Sequence, residues 1–588
     1  MSDQLMRYYE RELAYVRKSL DEFVSQFPDQ ASSLRLNQSA NEDPNISRLI
    51  DAMALLTAKT EKRIDEQFPE VVQGIFSLLY PGYLQISPSY TVLELEADLE
   101  KLTDIVSLPK GSTLLLPVKA GDECEFTSVS DLQILPLDIT KVKAQAAPFN
   151  FITPAQLKHS DSVIQIELSS LECLFSQITM NHFDFYVRGF ENNAASVIEL
   201  LLLQTEVISI SSGDQQKVIE TERLESRIAD EDFQWLPKYS SHFKGYDLLR
   251  DYFTYPDKSS FFRLKSLGRE LSDFATDKVT VNFFVKQLPA EFLRLFDKSV
   301  FALNAVPSIN LFETRGEPLN YDFSKLALPV VADVNAGNNL EIVTVETVSE
   351  VLPTGEINLS PVYESGYWHD DKSPQWQAKQ YWDEQGKRHI DLSISYPYSQ
   401  PSDSIVLSMM LKVCNGRMPC LIPAGTQAES LAAIDLPGVL KTLTAPTAPH
   451  YPDLDNRMNW RFIALLNSNF SSLLQADDPI KALQHALRLC CPQTLCPQAD
   501  SIKNVEYQHL VSPMTVMKQT IFASGTEVTI TLDDELIPNQ VAVFANVLNQ
   551  FYQQFCSFDR FIQLKIKRFG NSQSSIEFDK VHGSQLCL

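Results

Sequence analysis

An α+β multidomain fold is predicted, with a helical N-terminal bundle segment, β-rich middle domains and an α+β C-terminal domain. Three observations carry it. The chain has 588 residues, too many for one compact core and enough for several. Apolar side chains recur at helical spacing up to about residue 87, then change near residue 88 to alternation, the period of a strand. After residue 440 both periods return. The expected division is therefore 1–87 helical, 88–300 β-rich, 301–440 a second β-rich domain, and 441–588 α+β.

The first element places Tyr9, Leu13, Val16, Leu20, Phe23 and Phe27 in alternating steps of four and three, a heptad seam. Charged residues such as Glu10, Arg11, Arg17, Lys18 and Asp21 fill the positions between, so one face stays wet while the other needs an apolar partner. Pro28 ends this helix. A second begins at Asp43-Pro44, a capping carboxylate followed by proline where its missing N–H is harmless, and its stripe is Ile46, Leu49, Met53, Leu56, Thr60 and Ile64. A third, short helix carries Val72, Ile75, Phe76 and Leu79 before the turn Tyr80-Pro81-Gly82-Tyr83. Two outcomes are open for the seam of the first helix: packing within the chain or onto another chain.

Strands follow. Leu93, Leu95 and Ala97 alternate against Glu94, Glu96 and Asp98, and the turn Pro109-Lys110-Gly111-Ser112 comes next. Short β-branched and aromatic runs continue at Val163–Leu168, Phe183–Val187, Val279–Phe283, Leu340–Val348 and Ile405–Leu411. Past the proline-rich stretch Pro446–Pro452, Trp460, Ile463, Leu466 and Phe470 mark a helix, and Asp478-Pro479 starts another. Val528, Ile530 and Leu532 form a strand, Val541, Phe544, Leu548, Phe551, Phe555 and Phe558 a helix, and Ile562, Leu564 and Ile566 a strand. Strand, helix, strand predicts a crossover unit.

Charge and composition narrow the function. Acidic residues number 75 against 50 basic ones, a net charge of −25, which disfavours nucleic acid and anionic lipid as partners. No apolar run reaches the ~18 residues that cross a bilayer, and Val197–Leu203 is interrupted by Glu199. Direct membrane insertion is not expected. The opening residues show no apolar leader segment, and nine scattered cysteines fit a reducing compartment, so a cytoplasmic location without disulfides is expected.

Catalytic motifs are excluded by spacing. The closest two of the 19 glycines, Gly74 and Gly82, stand eight residues apart, so no dinucleotide fingerprint, nucleophile elbow or phosphate loop can occur. No histidine precedes a glutamate and no cysteines have C-x-x-C spacing, which removes the common zinc signatures. His485, Cys490, Cys491 and Cys496 are the nearest thing to a ligand cluster. Cys490 extends the helical stripe Ile480, Leu483, Leu487, so core packing is expected. His369-Asp370-Asp371 reads as a solvated loop. No catalytic residue, metal or cofactor is expected, and no enzyme. One cluster invites binding: Tyr367, Trp368, Trp376 and Trp382, with Tyr363 and Tyr381 beside them, form a candidate aromatic patch. Its readings are a small core, an interface anchor or a sugar-stacking platform.

Several separated blocks carry a family resemblance. Tyr8-Tyr9-Glu10-Arg11-Glu12-Leu13-Ala14-Tyr15, Asp43-Pro44, Phe68-Pro69-Glu70 and Leu79-Tyr80-Pro81-Gly82-Tyr83-Leu84 come first. Val306-Pro307-Ser308-Ile309-Asn310-Leu311-Phe312-Glu313, Asn415-Gly416-Arg417-Met418-Pro419, Trp460-Arg461-Phe462-Ile463-Ala464-Leu465-Leu466-Asn467 and Gly525-Thr526-Glu527-Val528 follow in order. Together they resemble the TssF (VasA, ImpG) family of type VI secretion baseplate proteins. Asn304-Ala305 stands where Cys-Thr is more usual, and Asn467-Ser468-Asn469-Phe470 where a Leu-Asn-Tyr pattern is. The resemblance implies a structural wedge subunit similar to those of contractile phage baseplates. It implies two copies joined to one TssG, binding of TssK and TssE, neighbouring wedges, and a ring around the VgrG spike on which the sheath assembles and contracts. It further implies docking at the cytoplasmic face of the inner membrane through the baseplate, with the N-terminal helices in the wedge core. The competing reading is a cytoplasmic glycan-binding β module using the Trp368–Trp382 patch.

Overall fold

The computed structural model describes residues 3–27, 44–98, 102, 105–118, 121–170, 173–178, 182–191, 193–236, 244–334, 339–362, 374–383, 387–396, 404–431, 435–452, 456–466, 478–492, 495–516, 519–556 and 560–582. Contacts divide it into two units, one of residues 1–79 with 454–460 and one of the remainder.

In the first unit the helices Asp3–Gln26 and Pro44–Leu79 pack together. The stretch Val72–Leu79, expected as a separate helix, is the end of one continuous 36-residue element. Proline in a helix interior removes one N–H···O bond. Here the turns on both sides of Pro69 retain enough bonds to carry the helix through. The start at Pro44 agrees with the sequence signal, and Asp43 lies outside the described residues.

The second unit is organised around a closed six-stranded barrel. Its strands run in the order Tyr90–Ala97, Ala305–Ile309, Glu123–Ser128, Thr113–Pro117, Gln427–Ser430, Gly438–Thr442. Leu93, Leu95, Leu114, Phe126, Val306 and Leu440 fill it. Two sheets are inserted between barrel strands Glu123–Ser128 and Ala305–Ile309. One has five antiparallel strands centred on Lys278–Val285, the other four strands centred on Phe261–Lys265 and His182–Val187. An eight-stranded sheet centred on Glu341–Leu352 and Ile405–Cys414 is inserted between Ala305–Ile309 and Gln427–Ser430. The expected division at residue 300 therefore follows no break in strand pairing, because Tyr90–Ala97 lies between Ala305–Ile309 and Gly438–Thr442. Alternation shows that a strand has two faces but not which distant strand completes its ladder.

After the barrel come the helices Asn456–Leu466 and Pro479–Cys490, the latter capped by the Asp478 carboxylate accepting from Lys481 N at 3.1 Å. The expected crossover is present. Strand Gln519–Leu532 lies parallel to Phe561–Arg568, with helix Val541–Phe555 between them in sequence. Phe470 and Phe558, assigned to these helices from the sequence, lie outside the described residues. Gly525 opens the shared part of this parallel pair because the Phe561 ring lies over its α-carbon, 2.4 Å from where a Cβ would stand. Gly525→Val should cost about 1–3 kcal/mol by overpacking, measured as a lower denaturant midpoint.

Candidate interaction surfaces

The candidate seam lies on helix Asp3–Gln26, where Tyr9, Leu13, Val16 and Phe23 are partly buried and Phe27 is exposed. The side chain of Leu20 lies outside the described residues. An Arg11–Glu61 ion pair joins this helix to its neighbour, and Glu12 is buried. Helix Pro44–Leu79 departs from the sequence reading. In its first half Ala54 and Ala58 are the buried positions, while Leu49, Met53 and Leu56 are 67, 57 and 65% exposed; nearer its end Val72 and Phe76, expected on the apolar stripe, are buried. Small residues let two helix backbones approach closely, and the larger side chains then stand outside the contact. Leu49, Met53 and Leu56 share one face at steps of four and three, so this unit presents an apolar stripe that its own described residues do not cover.

Of the candidate aromatic patch, Trp376 and Trp382 lie among the described residues. Tyr367 and Trp368 lie outside the described residues, as do Tyr363 and His369-Asp370-Asp371. Trp376 is withdrawn from the candidate interface: it is buried in the core of the eight-stranded sheet, and its indole N–H donates to Leu359 O at 3.0 Å. Tyr381 and Trp382 are neighbours in strand Gln375–Trp382 and so face opposite sides of the sheet. Tyr381 is exposed and stacks on His389, whose Nε2 lies 2.9 Å from Asp383 Oδ2. Trp382 sits opposite Arg388 on the same side as Trp376. The two-residue period of the strand thus separates Tyr381 from Trp376 and Trp382.

Several of the sequence blocks singled out above form joints of the second unit. In the turn Pro81–Leu84, Tyr83 stacks on Phe462 with ring centroids 4.0 Å apart. The Tyr80 hydroxyl donates to Asp247, and burial raises the pKa of this phenol well above its ordinary value. Arg250 donates to Gly82 O at 3.2 Å and lies over the Tyr80 and Tyr83 rings, 5.4 Å from each centroid. Farther along the chain, Asn310 and Asn415 bond to one another where the barrel meets the eight-stranded sheet. Gly416 has φ +53°, and a Cβ there would meet Glu341 Oε1 at 2.6 Å. Asp251 and Lys258 form a buried ion pair. Periodicity gave no signal for Asp247, Arg250, Asp251 or Lys258, which look like the wet face of an ordinary helix and turn.

Cys490 is buried on helix Pro479–Cys490, and burial pushes its thiol up to about 12. Cys496 is also raised, first by the neighbouring Cys491 thiol and then by burial. His485 is partly buried on the same helix as Cys490. Among the described residues no three His, Cys, Asp or Glu side chains are grouped to hold a metal ion, and no helix is long and apolar enough to cross a membrane.

The profile of the family described as "Type VI secretion system, TssF" matches residues 1–585. The type VI secretion system component TssF1 of Pseudomonas aeruginosa is 22% identical over 605 residues, covering 96% of this chain and 97% of that protein. A chain of the type VI TssK-TssF-TssG baseplate subcomplex, seen by cryo-electron microscopy, superposes with a TM-score of 0.72 at 21% identity, over 92% of this chain and 99% of that one. A chain of the type VI baseplate complex superposes with a TM-score of 0.55 at 19% identity, over 99% of this chain and all of that one.

Proposed function

The chain belongs to the TssF family of type VI secretion proteins, and on that premise we propose that it serves as a wedge subunit of the baseplate, working by shape and adhesion without covalent chemistry. It is a TssF baseplate component. The partners named with its structural neighbours are TssK and TssG. In this reading two copies engage one TssG, and the wedge adds TssK and TssE. Wedges then ring the VgrG spike, and the platform so formed docks at the cytoplasmic face of the inner membrane. Sheath assembly starts on that platform, and contraction follows from rearranged interfaces.

The observation that supports this reading best is the uncovered apolar surface of the N-terminal helices. Leu49, Met53 and Leu56 stand exposed on the helical unit, and the seam from Tyr9 to Phe27 is partly open. A helical partner such as TssG would cover both stripes, as coiled-coil seams are covered. Co-expression with TssG and light scattering on the purified complex test the proposal. Leu49→Asp/Leu56→Asp should reduce co-purification at least about a hundredfold, because each carboxylate buried in the interface costs several kcal/mol. Leu13→Asp/Val16→Asp should act in the same direction. Both first-named leucines are exposed, so circular dichroism should show unchanged helix. A folded variant that still binds TssG would remove the N-terminal helices from the wedge core.

A further inference from the structure

We propose that a groove beside the barrel receives an extended, basic segment of a partner protein. The groove opens between barrel strand Glu123–Ser128 and strand Phe312–Arg315, and its volume is about 740 Å³. That lies within the range of cavities that recognise a defined ligand. The proposal rests on the assembly reading for the existence of a partner, and on the groove for the partner's chemistry.

Three carboxylates line the groove, Glu125, Asp232 and Glu313, and none is in an ion pair among the described residues. Of the two lysines there, Lys412 already bridges to Glu346 at 3.3 Å, which leaves Lys110 against the three carboxylates. The lining is therefore short of positive charge. Burial raises the Glu125 carboxyl pKa, and a hydrogen bond from the Thr113 hydroxyl offsets only part of that rise. A cation brought beside Glu125 would offset that desolvation. Trp235, Leu311 and Phe312 supply apolar walls between the acids.

The groove also offers backbone. Strand Phe312–Arg315 is the terminal strand of its sheet and, among the described residues, is paired on one side only, with Ile405–Cys414. Such an edge is a template for an incoming extended segment, whose alternate side chains then point to the two walls. Alternating basic and apolar residues would match both the carboxylates and the apolar lining. A second copy of this chain is the wrong occupant electrostatically, since each copy carries −25.

Two measurements test the assignment. Carbodiimide coupling of glycine ethyl ester, read by peptide mass spectrometry, compares the free chain with its purified TssG–TssK complex. Labelling of Glu125, Asp232 and Glu313 should fall about fivefold or more in the complex, as for groups in a desolvated interface core, while exposed Asp214 keeps its labelling. Equal labelling in a complex of verified mass overturns the proposal and leaves the assembly reading standing. The second measurement needs no partner. A short fluorescent peptide of alternating arginine and valine should bind the free chain about tenfold or more tighter than it binds the Glu125→Gln/Glu313→Gln variant. Equal affinity for both proteins overturns the proposal even if no complex can be prepared, a result that would count separately against the assembly reading.

Discussion

Replacing Lys258 by methionine should destabilise the second unit by about 3–5 kcal/mol, measured by chemical denaturation. Lys258 is 1% exposed and its partner Asp251 is 2% exposed. Asp251 lies in the last turn of helix Lys244–Thr254, where unpaired carbonyls concentrate partial negative charge. A carboxylate there is stabilised by what surrounds it: the Lys258 ammonium, Leu236 N at 3.2 Å and a longer contact from Trp235 N at 3.5 Å. Methionine keeps the volume of lysine but removes the only full positive charge of this group, leaving a buried anion without a counter-ion. The change should not be repaired by adding salt, since the site is sealed from water. Asp251→Leu/Lys258→Met should recover part of the loss, because two apolar side chains leave no buried charge. A cost below about 1 kcal/mol for Lys258→Met alone would mean that the pair is not the anchor of this joint.

The same pair marks where sequence reading stops. Helix Asp3–Gln26, the start at Pro44 and the strand–helix–strand crossover were legible because each is written in the spacing of neighbouring residues. The barrel was not. Tyr90–Ala97 reads as a half-buried strand whatever lies beside it, and its partners come from residues 305–309 and 438–442. Burial chosen by close approach was equally hidden. A hydropathy stripe points to Leu49, Met53 and Leu56, whereas the packed positions in that half of the helix are Ala54 and Ala58; only its last turns, with Val72 and Phe76, follow the stripe. Polar joints leave no pattern at all, since an Arg or Asp on an amphipathic helix is expected to face water until a distant turn arrives to bury it. As strings of residues the family blocks carry no physical meaning of their own. Their physical content emerged with the fold: Tyr83 against Phe462, Gly525 beneath Phe561, and Asn310 against Asn415.

Asn310→Ala should cost about 3 kcal/mol and loosen the barrel from the eight-stranded sheet. The Asn310 side chain donates to Glu125 O at 2.8 Å and to Asn415 Oδ1 at 2.7 Å, and accepts from Asn415 N at 2.7 Å. Asn415 Oδ1 in turn accepts from Glu125 N at 3.2 Å. Both asparagines are buried, so truncating Asn310 strands the Asn415 N–H and the Glu125 carbonyl away from water. Asn415→Ala should cost less, because its backbone N–H still reaches Asn310. The two losses should fall short of additive by about 1–2 kcal/mol in a double-mutant cycle, as expected for a shared network. Hydrogen exchange supplies the structural readout. Amides of Glu123–Ser128 and Ile405–Cys414 should exchange faster in Asn310→Ala, while those of helix Val541–Phe555 should not change. Unchanged exchange in both strands would show that the barrel and sheet are held by their apolar contacts and that the asparagine pair merely fills their junction. Faster exchange would carry a further consequence: Glu125 is held at its backbone by this pair and lines the acidic groove with its side chain. The Asn310 variant should then also bind the arginine–valine peptide more weakly, although its groove carboxylates are intact.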